Sequence, residues 1–217
     1  MPVKHFAFEG PDGCGKSTLV TNVVEALKAE GHNAIRTWHP GTTDIGCLLT
    51  RIIKRPEEFD LKRPCDLTIQ LMMMADFAQF QIMLNKLDAL EETIIVVSDR
   101  HNLISAPCYG TAADLKFEIF ELLTQVIGPR RSSALFFVSC PDDVVRSRMT
   151  GRNLDSFESR NSDFHKAVAE AYQGFIRGNY SNYVGKIAER SSVLDGTKDP
   201  ADLVREVKET ILTIVGS

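Results

Sequence analysis

Three glycines, a lysine and two hydroxyl side chains fall within the segment Gly10-Pro11-Asp12-Gly13-Cys14-Gly15-Lys16-Ser17-Thr18. These residues fill every fixed position of the pattern G-x-x-x-x-G-K-[ST], whose chemistry is to grip a chain of phosphates. Backbone N–H groups can wrap phosphates only where no side chain blocks the approach, which accounts for Gly10, Gly13 and Gly15. Lys16 brings a cation to the terminal phosphates and Ser17 a hydroxyl for Mg²⁺, with Cys14 and Thr18 completing the loop. A nucleoside triphosphate with Mg²⁺ is the ligand this loop predicts.

A second group stands at Asp99-Arg100, directly after the apolar run Ile94-Ile95-Val96-Val97-Ser98. An acid and a base delivered together at a strand end suit phosphoryl chemistry: Asp99 for the metal, directly or through water, and Arg100 for a phosphate held bidentately. A third group runs from Arg146 and Arg148 through Gly151, Arg152 and Asp155 to Arg160. A helix carrying arginines into a polar, glycine-bearing stretch predicts a lid over about 146–160 that closes on phosphates, excludes water and adds positive charge.

The elements that must position these groups are legible as alternating periodicities. Short apolar runs at Phe6 to Phe8, Ala34 to Trp38, Ile94 to Ser98, Leu135 to Ser139 and Ser192 to Leu194 predict buried parallel strands. Between them, helical spacing follows the glycine loop from Thr18 to Glu30 and recurs over Leu67 to Leu90, Lys116 to Ile127 and Phe157 to Arg177, with a last helix opening at Pro200. The fold class is therefore α/β, a five-stranded parallel sheet covered by helices on both faces, with the site along the carboxyl edge of the strands.

The chain has 217 residues and a formal net charge of −4. That length predicts a single domain over 1–217, and that charge disfavours a nucleic-acid surface. No apolar run is long enough to span a membrane and no secretory pattern is present, so a cytoplasmic location is expected. The five cysteines are scattered, without a C-x-x-C pair, and are read as reduced thiols. Arg51, Lys54 and Arg55, and Arg130 and Arg131, are expected to be solvated surface.

Three segments resemble the thymidylate kinase family of nucleoside monophosphate kinases: Phe8 to Thr18, Val97-Ser98-Asp99-Arg100 and Leu154-Asp155-Ser156-Phe157-Glu158. Their order and intervals also fit, across nearly the whole chain. The resemblance implies a P-loop kinase fold and ATP- and Mg²⁺-dependent phosphorylation of dTMP to dTDP by a cytoplasmic homodimer. It implies that Asp12 binds the sugar 3′-hydroxyl, that Arg100 takes the acceptor phosphate, and that the lid lends a catalytic arginine, with Arg148, Arg152 and Arg160 as the candidates.

The departures concentrate on the acceptor side. Where the family has a stacking Phe and, four residues on, a base-reading Arg, this chain has Met73 and Phe77; Trp38 stands where the family carries a phosphate-binding arginine, Tyr109 where it has Gln and His101 where it has Tyr. Trp38, Met73, Phe77 and Tyr109 are thus expected to line the acceptor pocket, with base selectivity relaxed or moved toward another or a 5-modified pyrimidine deoxynucleotide. His39 and His101 are expected to line the pocket or serve structure. Three other functions compete. A GTPase switch is suggested by Asn85-Lys86-Leu87-Asp88, but that motif should follow a strand. A deoxynucleoside kinase needs a carboxylate base near the second strand's end, where Trp38-His39-Pro40 stands instead. A nucleotide-binding protein with impaired catalysis is opposed by the intact Lys16, Ser17, Asp99 and Arg100.

Overall fold

The computed structural model describes residues 3–90, 92–149 and 160–216, with the side chains at 146 and 149 outside that description. Five parallel strands form the sheet: β1 (Val3–Glu9), β2 (Ala34–Trp38), β3 (Ile94–Asp99), β4 (Ala134–Ser139) and β5 (Ser191–Asp195), in the order β2-β3-β1-β4-β5. All five expected strands are present. The helices are α1 (Lys16–Ala29), α2 (Asp44–Lys54), α3 (Asp66–Asp88), α4 (Asn102–Thr111), α5 (Phe117–Ile127), α6 (Asp142–Met149), α7 (Ser162–Ile176), α8 (Ser181–Ile187) and α9 (Pro200–Gly216), with a short 3₁₀ turn at Pro56–Phe59. The expected start of the third long helix at Phe157, and the lid tip with Arg152, lie outside the described residues.

Alternation along β1 splits the core. Phe6 and Phe8 face α1 and α9, joined by Val20, Val23, Leu27, Val207 and Ile211, while Val3 and Ala7 face the larger layer built on α3, α4, α7 and α8. Both faces of the central strands β1, β3 and β4 are therefore dry, which is why they read as nearly continuous apolar runs, while the edge strands β2 and β5 keep exposed positions. Phe8 and Trp38 both stand level with Asp99 in the strand register, so β1, β3 and β2 end together. The chain passes from β3 across β1 to β4, and the crevice at that change of direction is where the loops after β1 and β3 meet.

Three helices, α2, α4 and α8, were not anticipated. In α2, Thr43 caps the N-terminus by accepting from the Gly46 N–H at 3.0 Å, and Arg51 and Lys54 lie in the last turn, where the helix dipole favours cations. In α4, every residue from Asn102 to Gly110 is buried and Pro107 interrupts the sequence, so no polar face marks it as a helix. The Asn85-Lys86-Leu87-Asp88 stretch is the end of α3 and does structural work. Asp88 pairs with Arg130 and accepts from the Val3 N–H at 3.2 Å.

A buried polar chain runs beneath the site. Thr37 and Ser98 hydroxyls lie 2.6 Å apart, Ser98 Oγ is 2.7 Å from His5 Nε2, and Ser132 Oγ is 2.9 Å from His5 Nδ1 and 3.2 Å from His101 Nε2. Burial holds both histidines neutral, with His5 well below its ordinary value and His101 pushed down to about 3. In the unfolded chain each titrates near 6.5. Below that pH the unfolded chain binds protons that the native state refuses. Stability is therefore full above about pH 6.5 and falls as pH drops toward about 3, by up to ~1.4 kcal/mol per pH unit for each group. Urea unfolding at pH 7 and pH 5 is expected to show this loss, and a shallower pH dependence in His101→Asn; equal slopes would remove His101 as a contributor.

Candidate active site

The first turn of α1 begins at Gly15, which adopts a left-handed φ of +96° and offers no capping side chain, so the helix N–H groups point open toward an anion. Gly10 is needed for closeness as well as conformation: a Cβ there would lie 2.5 Å from the Val138 carbonyl oxygen. Lys16 is almost wholly buried, its Nζ donating to the Pro11 carbonyl at 2.8 Å, so the ammonium is held over its own loop. Gly13, Cys14, Gly15, Lys16, Ser17 and Thr18 line one cavity of about 980 Å³, while Gly10 supports them from beneath. That volume lies at the upper end of the range for a small-molecule site.

From this loop the cavity extends in two directions. Toward β5 it is walled by Arg148, Gly196, Lys198, Pro200 and Leu203; toward β2, by Arg36, Trp38, Lys54, Met73 and Tyr109. Asp12, Asp99 and Arg100 stand between the two ends. Arg148 donates to the Cys14 carbonyl at 3.3 Å and the Gly196 carbonyl at 3.1 Å, spanning the phosphate loop and the loop before α9.

Arg100 holds a φ of +76°, a region that non-glycine residues rarely occupy. Its N–H donates to the Phe8 carbonyl at 2.9 Å, and its guanidinium is fixed on every side. Nη1 donates to Tyr172 Oη at 2.8 Å, and Nη2 to Tyr109 Oη at 3.2 Å and to Asp12. Tyr109 in turn donates to the other Asp12 oxygen at 2.5 Å. Burial alone would raise the Asp12 carboxyl; Arg100 and Lys16 outweigh it and hold the group well below the usual carboxylate range. Burial likewise pushes the Tyr109 phenol up, so Tyr109 keeps its proton as a donor.

Sequence reasoning passed over the carboxylate that anchors this cluster. Glu9, wholly buried, accepts from the His101 N–H at 2.6 Å, Ser105 Oγ at 2.6 Å and Tyr172 Oη at 2.8 Å, with Arg100 Nη1 3.7 Å away. An acid directly before the glycine loop was the available signal. Asp76 plays the matching part on α3, accepting from the Asn102 amide at 2.9 Å and the Gly41 N–H at 3.2 Å, with His39 Nδ1 at 3.1 Å. His39 thus lines the cavity while held by Asp76, and His101 is structural.

Three expectations need correction. Phe77 does not line the cavity: it lies one turn beyond Met73 on the same face of α3 but is fully buried, its ring 4.5 Å from that of His101 and 5.7 Å from that of His39, while Met73 reaches the cavity wall. Arg160 is also outside the cavity. It donates to Asp66 at 2.8 Å and lies 3.5 Å over the Phe164 ring. Lys54, grouped with solvated surface, lines the cavity instead, whereas Arg51 and Arg55 pair with Glu58.

A phosphate loop on a five-stranded parallel sheet, with an Asp-Arg strand end beside it in a cavity of about 980 Å³, defines the class as a P-loop phosphotransferase. The model of the family described as thymidylate kinase matches residues 8–193. The chain belongs to the thymidylate kinase family, whose members are nucleoside monophosphate kinases. It is 27% identical over 214 residues to a thymidylate kinase of Caldicellulosiruptor saccharolyticus, covering 97% of both chains. It is 27% identical over 202 residues to one of Fervidobacterium nodosum (93% and 94% covered) and 28% over 206 residues to one of Symbiobacterium thermophilum (93% and 92%).

Because the Lys16 ammonium bonds within its own loop, to the Pro11 carbonyl and Cys14 Sγ, its charge matters to phosphates more than to the fold. Lys16→Ala is expected to lower turnover by roughly 10²- to 10³-fold or more, the scale of losing one preorganised charge donor, with its thermal unfolding close to that of the unaltered protein. Near-normal turnover would overturn the role of this loop.

Proposed function

We propose that the protein transfers the γ-phosphoryl group of ATP to dTMP, giving dTDP, in the cytoplasm. The observation that carries this reading is the single cavity with the phosphate loop in the middle and two differently built ends, in a chain of the thymidylate kinase family. The donor's phosphates lie on Gly13 to Thr18 under Lys16; its base lies toward Arg148 and the loop before α9. The acceptor enters toward β2, where Met73, Trp38 and Tyr109 enclose its ring and Asp12 meets its sugar. Arg100 steers its phosphate toward Lys16.

Ser17 and Asp99 line the same cavity and offer hard oxygen donors, a hydroxyl and a carboxylate, which suit Mg²⁺. When bound, that ion neutralises phosphate oxygens. Transfer to a phosphate oxygen needs no general base, and the site matches that requirement. The carboxylates among the described lining residues are Asp12, already committed to Arg100 and Tyr109, and Asp99. This opposes the nucleoside-kinase reading, which needs an uncommitted carboxylate at a 5′-hydroxyl. Of the arginines expected to lend the transition-state cation, Arg148 is favoured by its place against the phosphate loop.

With ATP and Mg²⁺ and a panel of dTMP, dUMP, dCMP, purine monophosphates and thymidine, dTDP is the expected principal product. Phosphorylation of thymidine in place of dTMP, or a higher kcat/KM for any other monophosphate, would overturn the assignment.

We further propose that the protein acts as a homodimer through α3. Leu67, Leu71, Ala75 and Ile82 form an exposed apolar stripe along one side of that helix, its leucines and isoleucine between 41% and 49% exposed. The helix is long and apolar enough to span a membrane, but half of its apolar window is buried against the rest of the protein, as in a core helix. A second copy of the same stripe is the symmetric partner that would dry it. Light scattering is expected to give twice the chain mass for the unaltered protein and the monomer mass for Leu71→Glu; a monomeric unaltered protein would refute the dimer.

A further inference from the structure

We infer that Arg36 is the cation that binds the acceptor's phosphate from the β2 side. The inference rests on the proposed function and adds a substrate-binding residue to it. At the end of β2, level with Asp99, stands Trp38, which carries no charge. Arg36 lies two residues earlier and so projects from the same face of the strand. Its guanidinium reaches to the carboxyl edge, with Nη2 3.7 Å from Asp99 Oδ2 and its central carbon 5.9 Å from the Trp38 ring centroid.

The two arginines at this end of the cavity are in opposite states. Arg100 is 15% exposed and its two terminal nitrogens donate to Asp12, Tyr109, Tyr172 and the Gly10 carbonyl. Arg36 is 38% exposed, lines the same cavity, and stands beyond hydrogen-bond distance of the Asp99 carboxylate. Asp99 holds the guanidinium in place without consuming its donors. A planar fork with no acceptor within hydrogen-bond distance among the described residues is suited to two oxygens of a phosphate.

The sheet order fixes where that phosphate lies. The phosphate loop follows β1, Asp99 and Arg100 end the adjacent β3, and Arg36 comes from β2 on the far side of β3. A phosphate approaching Lys16 from the acceptor end passes between Arg100 and Arg36. Two polyanions meet here, and a cation on the outer side offsets their repulsion while leaving the inner face open for transfer.

Trp38 is the chain's single tryptophan and lies on this wall, so its fluorescence reports acceptor binding. The test compares titrations of dTMP and of thymidine, which lacks the phosphate, together with KM values, in the unaltered protein, Arg36→Ala, Arg36→Lys and Lys54→Ala. Arg36→Ala is expected to weaken dTMP roughly 10- to 100-fold and to leave thymidine affinity and the KM for ATP within about 3-fold. Arg36→Lys is expected to recover part of the loss. An equal loss for dTMP and thymidine would assign Arg36 to the wall and overturn the inference. So would an unchanged dTMP affinity, or a phosphate-selective loss in Lys54→Ala alone. An unaltered protein that binds no dTMP would sink the proposed function and this inference together, whereas normal dTMP binding with an indifferent Arg36→Ala sinks the inference alone.

Discussion

The site depends on one buried carboxylate. Glu9 sits at the last position of β1, with no exposure to water, where an unpaired anion would be too costly to keep. It is made tolerable by three short hydrogen bonds from three different parts of the chain: the His101 backbone, Ser105 on α4 and Tyr172 on α7. Those same bonds fix the geometry. The residue after Glu9 opens the phosphate loop, and the residue before His101 is Arg100, so one carboxylate sets the distance between donor and acceptor ends. The unusual backbone of Arg100 is held by this arrangement, since its N–H bonds β1 and its side chain shares Tyr172 with Glu9.

Asp76 does for the acceptor wall what Glu9 does for the phosphate loop. It joins α3 to the loop after β2 through Gly41 and His39, and to the start of α4 through Asn102. The packing around it leaves no slack: a Cβ on Gly46 of α2 would fall 1.9 Å from Asp76 Oδ1. Met73, one turn before Asp76 on α3, is thereby set at a fixed depth in the cavity. The two carboxylates that organise the site are buried and occupied by structural donors, while the oxygens offered to ligands belong to Asp12, Ser17 and Asp99.

What the sequence made legible follows from how local each constraint is. The phosphate loop is a contiguous backbone conformation that only certain residues can adopt, so Gly10, Gly13 and Gly15 announce it directly. The central strands are legible because both of their faces are dry and their apolar runs are nearly unbroken. The roles of Glu9 and Asp76 depend on partners up to 163 residues away, and no spacing in the sequence encodes that. Helix α4 is hidden because it is buried on all sides and carries Pro107. Lys54 and Arg51 differ only by three positions on α2, yet one faces the cavity and the other Glu58, a distinction set by how α2 docks.

Phe77 shows how a pocket can be misread from one strip of sequence. The family's arginine position here carries a ring packed against His101 and His39, two further positions where this chain departs from the family pattern. A guanidinium there would lose its hydration beside histidines that the interior keeps uncharged or bonded to Asp76, at a cost of several kcal/mol per buried ion. Phe77, His39 and His101 therefore form a mutually fitted block, in which the ring fills volume and each histidine is held by a neighbour. With position 77 withdrawn into the core, the wall of the cavity at this end is made by Met73, Trp38 and Tyr109. Under the proposed function, selection for the acceptor would shift from its base edge toward its sugar and phosphate, on the side where Asp12, Arg100 and Arg36 line the cavity.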